Sequence, residues 1–198
     1  MKSLLVIGCG GHAKSVIDII ESTKLWEISG LIGLQHEVGS SVLGYPIIGT
    51  DLDLPDLRRS VVSAVLALGQ LPSPQLRQNI QQLLNQLNFD LPSLISPHAI
   101  VSMHSRLGEG SIIGHGAIVN ANAQVGSYCT INTRALVEHD ATIGDHCHIS
   151  TGALVNGNVV LGTGCFIGSG SIIREGVVLP PATVISAGKR VMGWPLLS

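Results

Sequence analysis

The sequence has few charged residues and no long hydrophobic run, and these two absences exclude several classes of protein. Only 12% of its 198 residues are charged, the formal net charge is −2, and there is no basic cluster, so nothing indicates binding to nucleic acid. Continuous apolar runs such as 64–68 fall far short of the ~20 residues that a membrane-spanning helix needs. No signal-peptide pattern opens the sequence, and we expect a cytoplasmic protein with no membrane partner.

Cysteine is also scarce, and its placement does not indicate a metal site. Three of the four cysteines, Cys129, Cys147 and Cys165, are 18 residues apart, and Cys9 lies in a glycine-rich turn. Because thiols usually stay reduced in the cytoplasm, we interpret the three spaced cysteines as small core residues rather than disulfide partners or metal ligands.

What the sequence does contain is an uninterrupted period of six residues between residues 95 and 185. Every sixth position is branched: Ile95, Val101, Leu107, Ile113, Val119, Val125, Ile131, Val137, Ile143, Ile149, Val155, Leu161, Ile167, Ile173, Leu179 and Ile185. A small or slender residue stands two positions before each of these, from Ala99 to Thr183. This period fits neither a helix nor a hairpin, but it fits a short strand and a tight turn repeated, with three units to a coil. We predict a narrow prism of stacked coils, about 25 Å long at roughly 4.8 Å per layer.

Residues 18 positions apart share one edge of such a prism, so the edges can be compared. One edge carries Gly108, Gly126, Gly144 and Gly162, and the next carries Gly114, Asn132, Ser150 and Gly168. The third carries Ser102, Asn120, Glu138, Asn156 and Arg174. His139 and Asp140 follow Glu138, with Asn122 and Asn158 on either side of Asp140. We call this third edge the polar edge, and we expect the chemistry there.

The face that leads into the polar edge carries outward apolar residues in every coil. They are Ile100, Ile118, Leu136, Leu154 and Ile172, which we call the apolar stripe. A stripe roughly 19 Å long, at about 4.8 Å per layer, should not be left in water. We predict that it is the interface of a homotrimer, which would place His139 near a contact between two chains. The alternative is that the N-terminal domain covers the stripe.

The first part of the chain predicts a Rossmann-like α/β domain with a parallel sheet. A strand at 3–7 leads through Gly8, Cys9, Gly10, Gly11 and His12 into a helix whose apolar face is Ala13, Val16, Ile17 and Ile20. Such a G-x-G-x-x-A turn lets backbone N–H groups approach a phosphate, although it also occurs as a merely tight turn.

Further strands are predicted at 27–32, 43–48 and 61–68, followed by a helix. The helix has Ser73 as N-cap and Pro74 at its start, and its apolar face is Leu76, Ile80, Leu83, Leu84 and Leu87. The strand at 27–32 ends in Gly33, Leu34 and Gln35, without the acidic residue that holds a ribose in NAD-binding folds, which argues against NAD. We predict an α/β domain over 1–92 and a β-helix domain over 93–198.

With these features the sequence resembles a known family, the sugar O- and N-acetyltransferases. This family includes sialic acid O-acetyltransferases and bacterial enzymes that acetylate UDP-linked 4-amino sugars. The resemblance covers nearly the whole chain and is most specific at Val6-Ile7-Gly8-Cys9-Gly10-Gly11-His12-Ala13 and at Ile131-Asn132-Thr133 through Val137-Glu138-His139-Asp140 to Ile143-Gly144-Asp145. It implies that the repeat is a left-handed parallel β-helix.

The resemblance also implies roles for particular residues. His139 would be the general base, with Asp140 orienting it and Glu138 beside it in the catalytic group. His148, Ser169 and Ala187 would contact acetyl-coenzyme A between subunits, and Gly10, Gly11, His12 and Gly69 would contact a nucleotide-linked sugar. No metal is expected.

Two features depart from the family pattern. Gly33 and Leu34 stand where the family often has a pair of aspartates, and the tail ends Gly193-Trp194-Pro195-Leu196-Leu197-Ser198 instead of continuing with Ala-Lys after the Gly-x-Pro. Recognition of the nucleotide and of the coenzyme tail is therefore in question.

Three other functions remain open at this stage. A sialic acid O-acetyltransferase would use the same residues on a hydroxyl group. A β-helix carbonic anhydrase would hold zinc through His139, His148 and His115. A scaffold that binds sugar nucleotides without transferring acetyl groups would explain both departures, and in that case His139 would be only a polar residue at a subunit boundary.

Overall fold

The computed structural model describes residues 1–70 and 74–195. The chain divides into two compact units, Met1–Pro92 and Ser93–Ser198.

The N-terminal unit is built on a five-stranded sheet. Its strands are β1 (Lys2–Ile7), β2 (Trp26–Ile32), β3 (Ser41–Val42), β4 (Tyr45–Gly49) and β5 (Ser63–Leu66), in the order β3-β4-β2-β1-β5. Its helices are α1 (Gly11–Thr23), α2 (Leu54–Leu57) and α3 (Gln75–Gln86), with 3₁₀ turns at Gln35–Glu37 and Asp51–Asp53. The order reverses at β1, whose neighbours β2 and β5 lie on opposite sides.

The sheet is parallel except at one edge, so the prediction of a parallel sheet is wrong for β3. β3 pairs antiparallel with β4 because Leu43 and Gly44 have positive φ values of 50° and 86° and close a two-residue hairpin. The predicted face of α1 is confirmed, since Ala13, Val16 and Ile17 are all fully buried.

The face predicted for α3 is only partly correct. Leu84 is buried, but Leu76 is 61% exposed, whereas Arg77 and Gln81 are 1% and 8% exposed. Residues 77, 81 and 84 follow helical spacing, so the side of α3 turned towards the protein is set by these three. Ser73, the predicted N-cap, lies outside the described residues.

The second unit is a parallel β-helix of two-residue strands arranged in three sheets. The first sheet holds Ile100–Val101, Ile118–Val119, Leu136–Val137, Leu154–Val155, Ile172–Ile173 and Arg190–Val191. The second holds Arg106–Leu107, Gln124–Val125, Thr142–Ile143, Val160–Leu161 and Val178–Leu179. The third holds Leu94–Ile95, Ile112–Ile113, Thr130–Ile131, His148–Ile149, Phe166–Ile167 and Val184–Ile185. Paired strands are one 18-residue coil apart, as Ile118 and Leu136 are.

The second residue of each strand points into the prism, as the period predicts. From Ile113 to Ile185 these inward residues are at most 3% exposed. The prediction is wrong at the first position, where Ile95 is 41% exposed and Leu94 is buried. Ile95 belongs to the edge strand of the third sheet, so no earlier coil covers its inward face.

One internal edge of the prism is lined by small polar side chains. Ser93, Ser111, Cys129, Cys147 and Cys165 donate hydrogen bonds of 3.0 to 3.2 Å to the carbonyls of Gly108, Gly126, Gly144, Gly162 and Pro180. The three spaced cysteines are buried and are not in disulfide bonds, which confirms them as small core residues. Their thiols thus provide donors to turn carbonyls along this edge, and the Pro180 carbonyl also accepts from the Thr183 hydroxyl at 2.7 Å.

In the part of the chain that the structure describes, no helix is long and apolar enough to cross a membrane.

Candidate active site

The polar edge is formed by turns whose backbone conformation favours asparagine and aspartate. Asn122, Asp140 and Asn158 occupy equivalent positions in successive coils, and their φ values are 60°, 62° and 57°. Asn and Asp adopt this left-handed conformation more readily than other residues with a side chain. The repeat therefore stacks three short polar side chains and holds His139, which precedes Asp140, at the surface.

His139 and Asp140 form a hydrogen-bonded pair that extends to the coil before. Nδ1 of His139 is 2.7 Å from Oδ2 of Asp140, and Nδ2 of Asn122 donates to Oδ1 of the same carboxylate at 2.7 Å. Oε2 of Glu138 accepts from the backbone N–H of His139 at 3.0 Å. Because an ionised carboxylate only accepts, Nδ1 carries the proton and Nε2 is left as the basic atom.

The charges around the pair make the imidazole more basic. The hydrogen bond that His139 donates to Asp140 raises the pKa of His139, and the charges of Glu138 and Glu175 act in the same direction. The hydrogen bond from Asn122 lowers the pKa of Asp140, and the contact with His139 lowers it further. Asp140 is therefore ionised, and His139 has the surroundings of a general base with a fixed tautomer.

Gly157 lies beneath the imidazole ring, and sequence analysis did not identify it. A Cβ atom at this position would lie 2.8 Å from Cε1 and 3.0 Å from Nε2 of His139. Its φ value is not among the positive ones, so the backbone does not demand glycine here. Its position beside His139 follows from the sequence, since Gly157 is one coil of 18 residues after His139.

The predicted coenzyme-contacting residues lie at other places on the prism. His148 is 6% exposed on the third sheet, with its ring 5.2 Å from that of Phe166. Ser169 and Ala187 are exposed at the edge between the third and first sheets, where Gly188 N–H donates to the Ser169 carbonyl at 2.8 Å. His139 lies at the edge between the first and second sheets. Within a single chain, the predicted base His139 is therefore separated from Ser169 and Ala187 by the width of the first sheet.

In the N-terminal unit, three of the predicted substrate residues, Gly10, Gly11 and His12, lie at the start of α1. Gly10 and Gly11 are exposed, and Gly69 is exposed after the end of β5. Burial lowers the pKa of His12 to about 4, and the charge of Arg77 adds to this effect. His12 is therefore neutral near pH 7, with a positive guanidinium close to it.

A cavity of about 300 Å³ opens at the carboxyl ends of β1, β2 and β5, and we call it the N-terminal cavity. Of the four predicted substrate residues, Gly10 lines it. Its other lining residues are Ile7, Gly8, Cys9, Ile32, Gly33, Leu34, Glu37, Asp51, Leu68, Leu76 and Ile80. In open α/β sheets, ligands bind outside the carboxyl ends of the strands, at the point where the strand order reverses. The cavity occupies that place.

Glu37 is a second residue that sequence analysis missed. Its Oε2 atom accepts from the Cys9 thiol at 3.0 Å and from the Leu34 N–H at 2.8 Å. Burial raises the pKa of Cys9 to about 11, with Glu37 adding to the shift, and the bond from Cys9 lowers the pKa of Glu37. An ionised carboxylate thus lies near the end of β2, where the sequence had indicated none.

Among residues 1–70 and 74–195, no group of three or more His, Cys, Asp and Glu side chains comes together in a way that could hold a metal ion.

Comparison with known proteins matches both units of the chain. The PglD N-terminal domain family matches residues 3–84, and the bacterial transferase hexapeptide family matches 122–157 and 140–175. No curated protein sequence matches.

Solved structures similar to this chain include several acetyltransferases. The acetyltransferase domain of PglB from Neisseria gonorrhoeae is 31% identical with a TM-score of 0.86, covering 97% of this chain and 92% of that one. It has also been solved in complex with acetyl coenzyme A. A mutant of perosamine N-acetyltransferase from Caulobacter crescentus, in complex with CoA and GDP-perosamine, is 29% identical with a TM-score of 0.70, covering 97% and 92%. WeeI from Acinetobacter baumannii, at 20% identity and a TM-score of 0.77 over 97% and 95%, shares the fold.

These matches confirm the predicted fold class, an α/β domain followed by a left-handed parallel β-helix. They also confirm the resemblance stated from the sequence. The chain belongs to the family of hexapeptide-repeat sugar acetyltransferases that carry a PglD-type N-terminal domain.

Proposed function

We propose that this protein transfers the acetyl group of acetyl-CoA to an amino group of a nucleotide-linked sugar, with His139 as the general base. The observation that carries the proposal is the chain of hydrogen bonds from Asn122 through Asp140 to His139, each of 2.7 Å, at an exposed turn. It leaves one basic nitrogen on a side chain that is 58% exposed, in a chain that belongs to an acetyltransferase family.

The chemistry needs little more than such a base. The amine nitrogen of the sugar attacks the thioester carbonyl, a C–N bond forms and the C–S bond breaks. Nε2 of His139 accepts the proton that the nitrogen loses, and the resulting imidazolium gives a proton to the departing thiolate of coenzyme A, which restores the neutral base. Asp140 stabilises the imidazolium while it exists, and general-base help of this kind is typically worth roughly 10²- to 10⁴-fold in rate.

The choice of substrates follows from the relatives. The PglB domain was solved with acetyl coenzyme A, and the Caulobacter enzyme with CoA and GDP-perosamine. Both cover nearly all of this chain, including the N-terminal unit. We therefore assign an amino group, rather than a hydroxyl group, as the acceptor, and a nucleotide as the carrier of the sugar. Gly10, Gly11, His12 and Gly69 remain its proposed contacts, in the proposed sugar-nucleotide domain 1–92.

We further propose that the active protein is a homotrimer, joined through the apolar stripe. Ile100 is 64% exposed, and the other four residues of the stripe are partly exposed. The stripe lies on the first sheet, and its two flanking edges carry His139 on one side and Ser169 and Ala187 on the other. Packing this face against a neighbouring copy would bring His139 of one subunit towards the edge of the next subunit that carries Ser169 and Ala187. The interface and these residues all belong to the proposed β-helix domain, 93–198.

The test is acetyl transfer to a panel of GDP- and UDP-linked 4-amino sugars and of sialic acids, followed by thiol release. We expect turnover of an amino sugar and, in His139→Ala, a kcat lower by about 10²- to 10⁴-fold with acetyl-CoA affinity nearly unchanged. Activity only on a sialic acid would favour O-acetylation. Stoichiometric zinc with carbon dioxide hydration would favour a carbonic anhydrase, and transfer to no acceptor would favour a binding scaffold.

A further inference from the structure

The end of β2 holds an unusual arrangement in which a glycine makes room for a distant carboxylate. A Cβ atom at Gly33 would lie 2.7 Å from Sγ of Cys9 and 3.0 Å from Oε2 of Glu37. The 2.7 Å contact is too short to occur, so a side chain at this position would push the Cys9 thiol aside, and the carboxylate bonded to that thiol would also have to shift slightly. The Cys9 thiol and the Glu37 carboxylate therefore together occupy the space next to the strand end that a side chain of residue 33 would occupy.

Local contacts fix this carboxylate in place. Glu37 is the last residue of the 3₁₀ turn Gln35–Glu37, and its carboxylate returns to cap the Leu34 N–H at 2.8 Å. The Cys9 thiol provides a second anchor at 3.0 Å from the turn after β1. Both bonds use Oε2, and no described hydrogen bond of residues 1–70 and 74–195 uses Oε1.

The lining of the N-terminal cavity limits what it accepts. Leu34, Leu68, Leu76 and Ile80 make its wall largely aliphatic, and its two charged lining residues, Glu37 and Asp51, are both acidic. A phosphate group would be repelled there, whereas an uncharged ring system with hydroxyl donors would be accepted. Its volume of about 300 Å³ lies at the lower end of the usual range for small-molecule sites. These properties fit the nucleoside part of a nucleotide.

We propose that Glu37 is the specificity-determining carboxylate of the nucleotide site and accepts a hydrogen bond from the ribose 2′-hydroxyl of the sugar nucleotide. In dinucleotide-binding folds, an acidic residue at the end of the second strand holds this hydroxyl. Here Glu37, in the 3₁₀ turn that follows β2, fills the same role, and Gly33 provides the space. The preferred substrates are then ribonucleotide-linked sugars, and 2′-deoxyribonucleotide-linked sugars are disfavoured. This inference rests on the proposed function.

The experiment compares GDP with 2′-deoxy-GDP, and UDP with 2′-deoxy-UDP, by calorimetric titration of the full chain. For the better-bound pair, we expect the wild type to bind the ribose form roughly tenfold more tightly, since a hydroxyl bonded to a carboxylate is lost in the deoxy form. Glu37→Gln should reduce that ratio to near one. It keeps the size of the side chain and an acceptor for Leu34 N–H, so the turn is preserved.

Two further variants control the result. Asp56→Asn removes an exposed carboxylate of the same unit, 3.4 Å from Arg59 and not part of the cavity lining, and should leave the ratio unchanged. Glu37→Asp keeps the charge but shortens its reach, and it should also lose discrimination. It serves as the second test if Glu37→Gln unfolds at a lower temperature than the wild type.

Each outcome decides between the two proposals. Equal binding of the ribose and deoxy forms by the wild type, or unchanged discrimination in both Glu37 variants, would overturn the role of Glu37. If the same wild-type preparation still acetylates a nucleotide-linked amino sugar, the proposed function stands. Discrimination that depends on Glu37 in a protein that acetylates no amino sugar would support the role of Glu37 and refute the proposed acetyl transfer.

Discussion

Replacing Gly157 by alanine is expected to slow acetyl transfer, because the added methyl group would push the His139 imidazole from its position. The Cβ atom would lie 2.8 Å from Cε1 and 3.0 Å from Nε2, whereas non-bonded carbon atoms prefer a separation of about 3.5 to 4.0 Å. The ring must therefore move by roughly 0.7 to 1.2 Å, and a displacement of about 1 Å can cost 10²-fold in rate. We expect kcat to fall about 10- to 100-fold, with little change in stability because the φ value of Gly157 is not positive.

The assay measures thiol release at saturating substrates in four proteins: wild type, Gly157→Ala, His139→Ala and the double variant. If the methyl group acts through the imidazole, it should have no further effect once His139 is alanine. A wild-type rate in Gly157→Ala would refute the geometric reasoning. The same fold reduction in the His139→Ala background would also refute it, since Gly157 would then act on something other than the base. Thermal unfolding of all four proteins controls for misfolding.

Three other perturbations follow from the described contacts. Asp140→Asn removes the main cause of the raised pKa of His139. Since the base must be unprotonated to act, the acidic limb of the kcat/KM profile should move to lower pH. An acidic limb that stays in place would contradict the pairing of His139 with Asp140. Ile149→Ala truncates a fully buried inward residue and should lower the free energy of unfolding by about 2 to 5 kcal/mol in denaturant titration, whereas a loss below about 1 kcal/mol would indicate a collapsible core. Leu136→Glu puts a charge in the apolar stripe and should yield monomers in sedimentation with loss of activity; an active trimer would exclude this face as the interface.

The repeat made the geometry of the polar edge predictable from the sequence. Because paired strands are one 18-residue coil apart throughout, arithmetic alone placed Asn122 and Asn158 next to Asp140. The same arithmetic reaches Gly157 from His139, but a glycine carries no chemical signal and its importance shows only in the space it leaves. Ile95 follows the period but is exposed, because periodicity does not show where the stack of coils ends.

The N-terminal unit was harder to predict because no repeat fixes its geometry. The predicted face of α3 was drawn from apolar residues alone, because charged residues are seldom buried, yet Arg77 is 1% exposed on the inner side of α3. Glu37 was missed because an acidic residue was sought within the strand and the residues directly after it. A carboxylate that returns through a 3₁₀ turn has no periodic signature, and only the short distance from the position of a Gly33 Cβ reveals it. The roles of the individual site residues and the cytoplasmic location remain predictions.

The constant spacing between paired strands also has a consequence for how the second unit folds. Parallel sheets usually join strands far apart in sequence, which makes their formation slow. Here each strand meets its partner after a single coil of 18 residues, and the bonds from Ser111, Cys129 and Cys147 to turn carbonyls span 15. Each coil therefore makes its contacts with the coil before it across a short stretch of sequence. We expect the β-helix to assemble by propagation from any preformed coil, as repeat proteins do, and to fray from its ends rather than unfold at its centre.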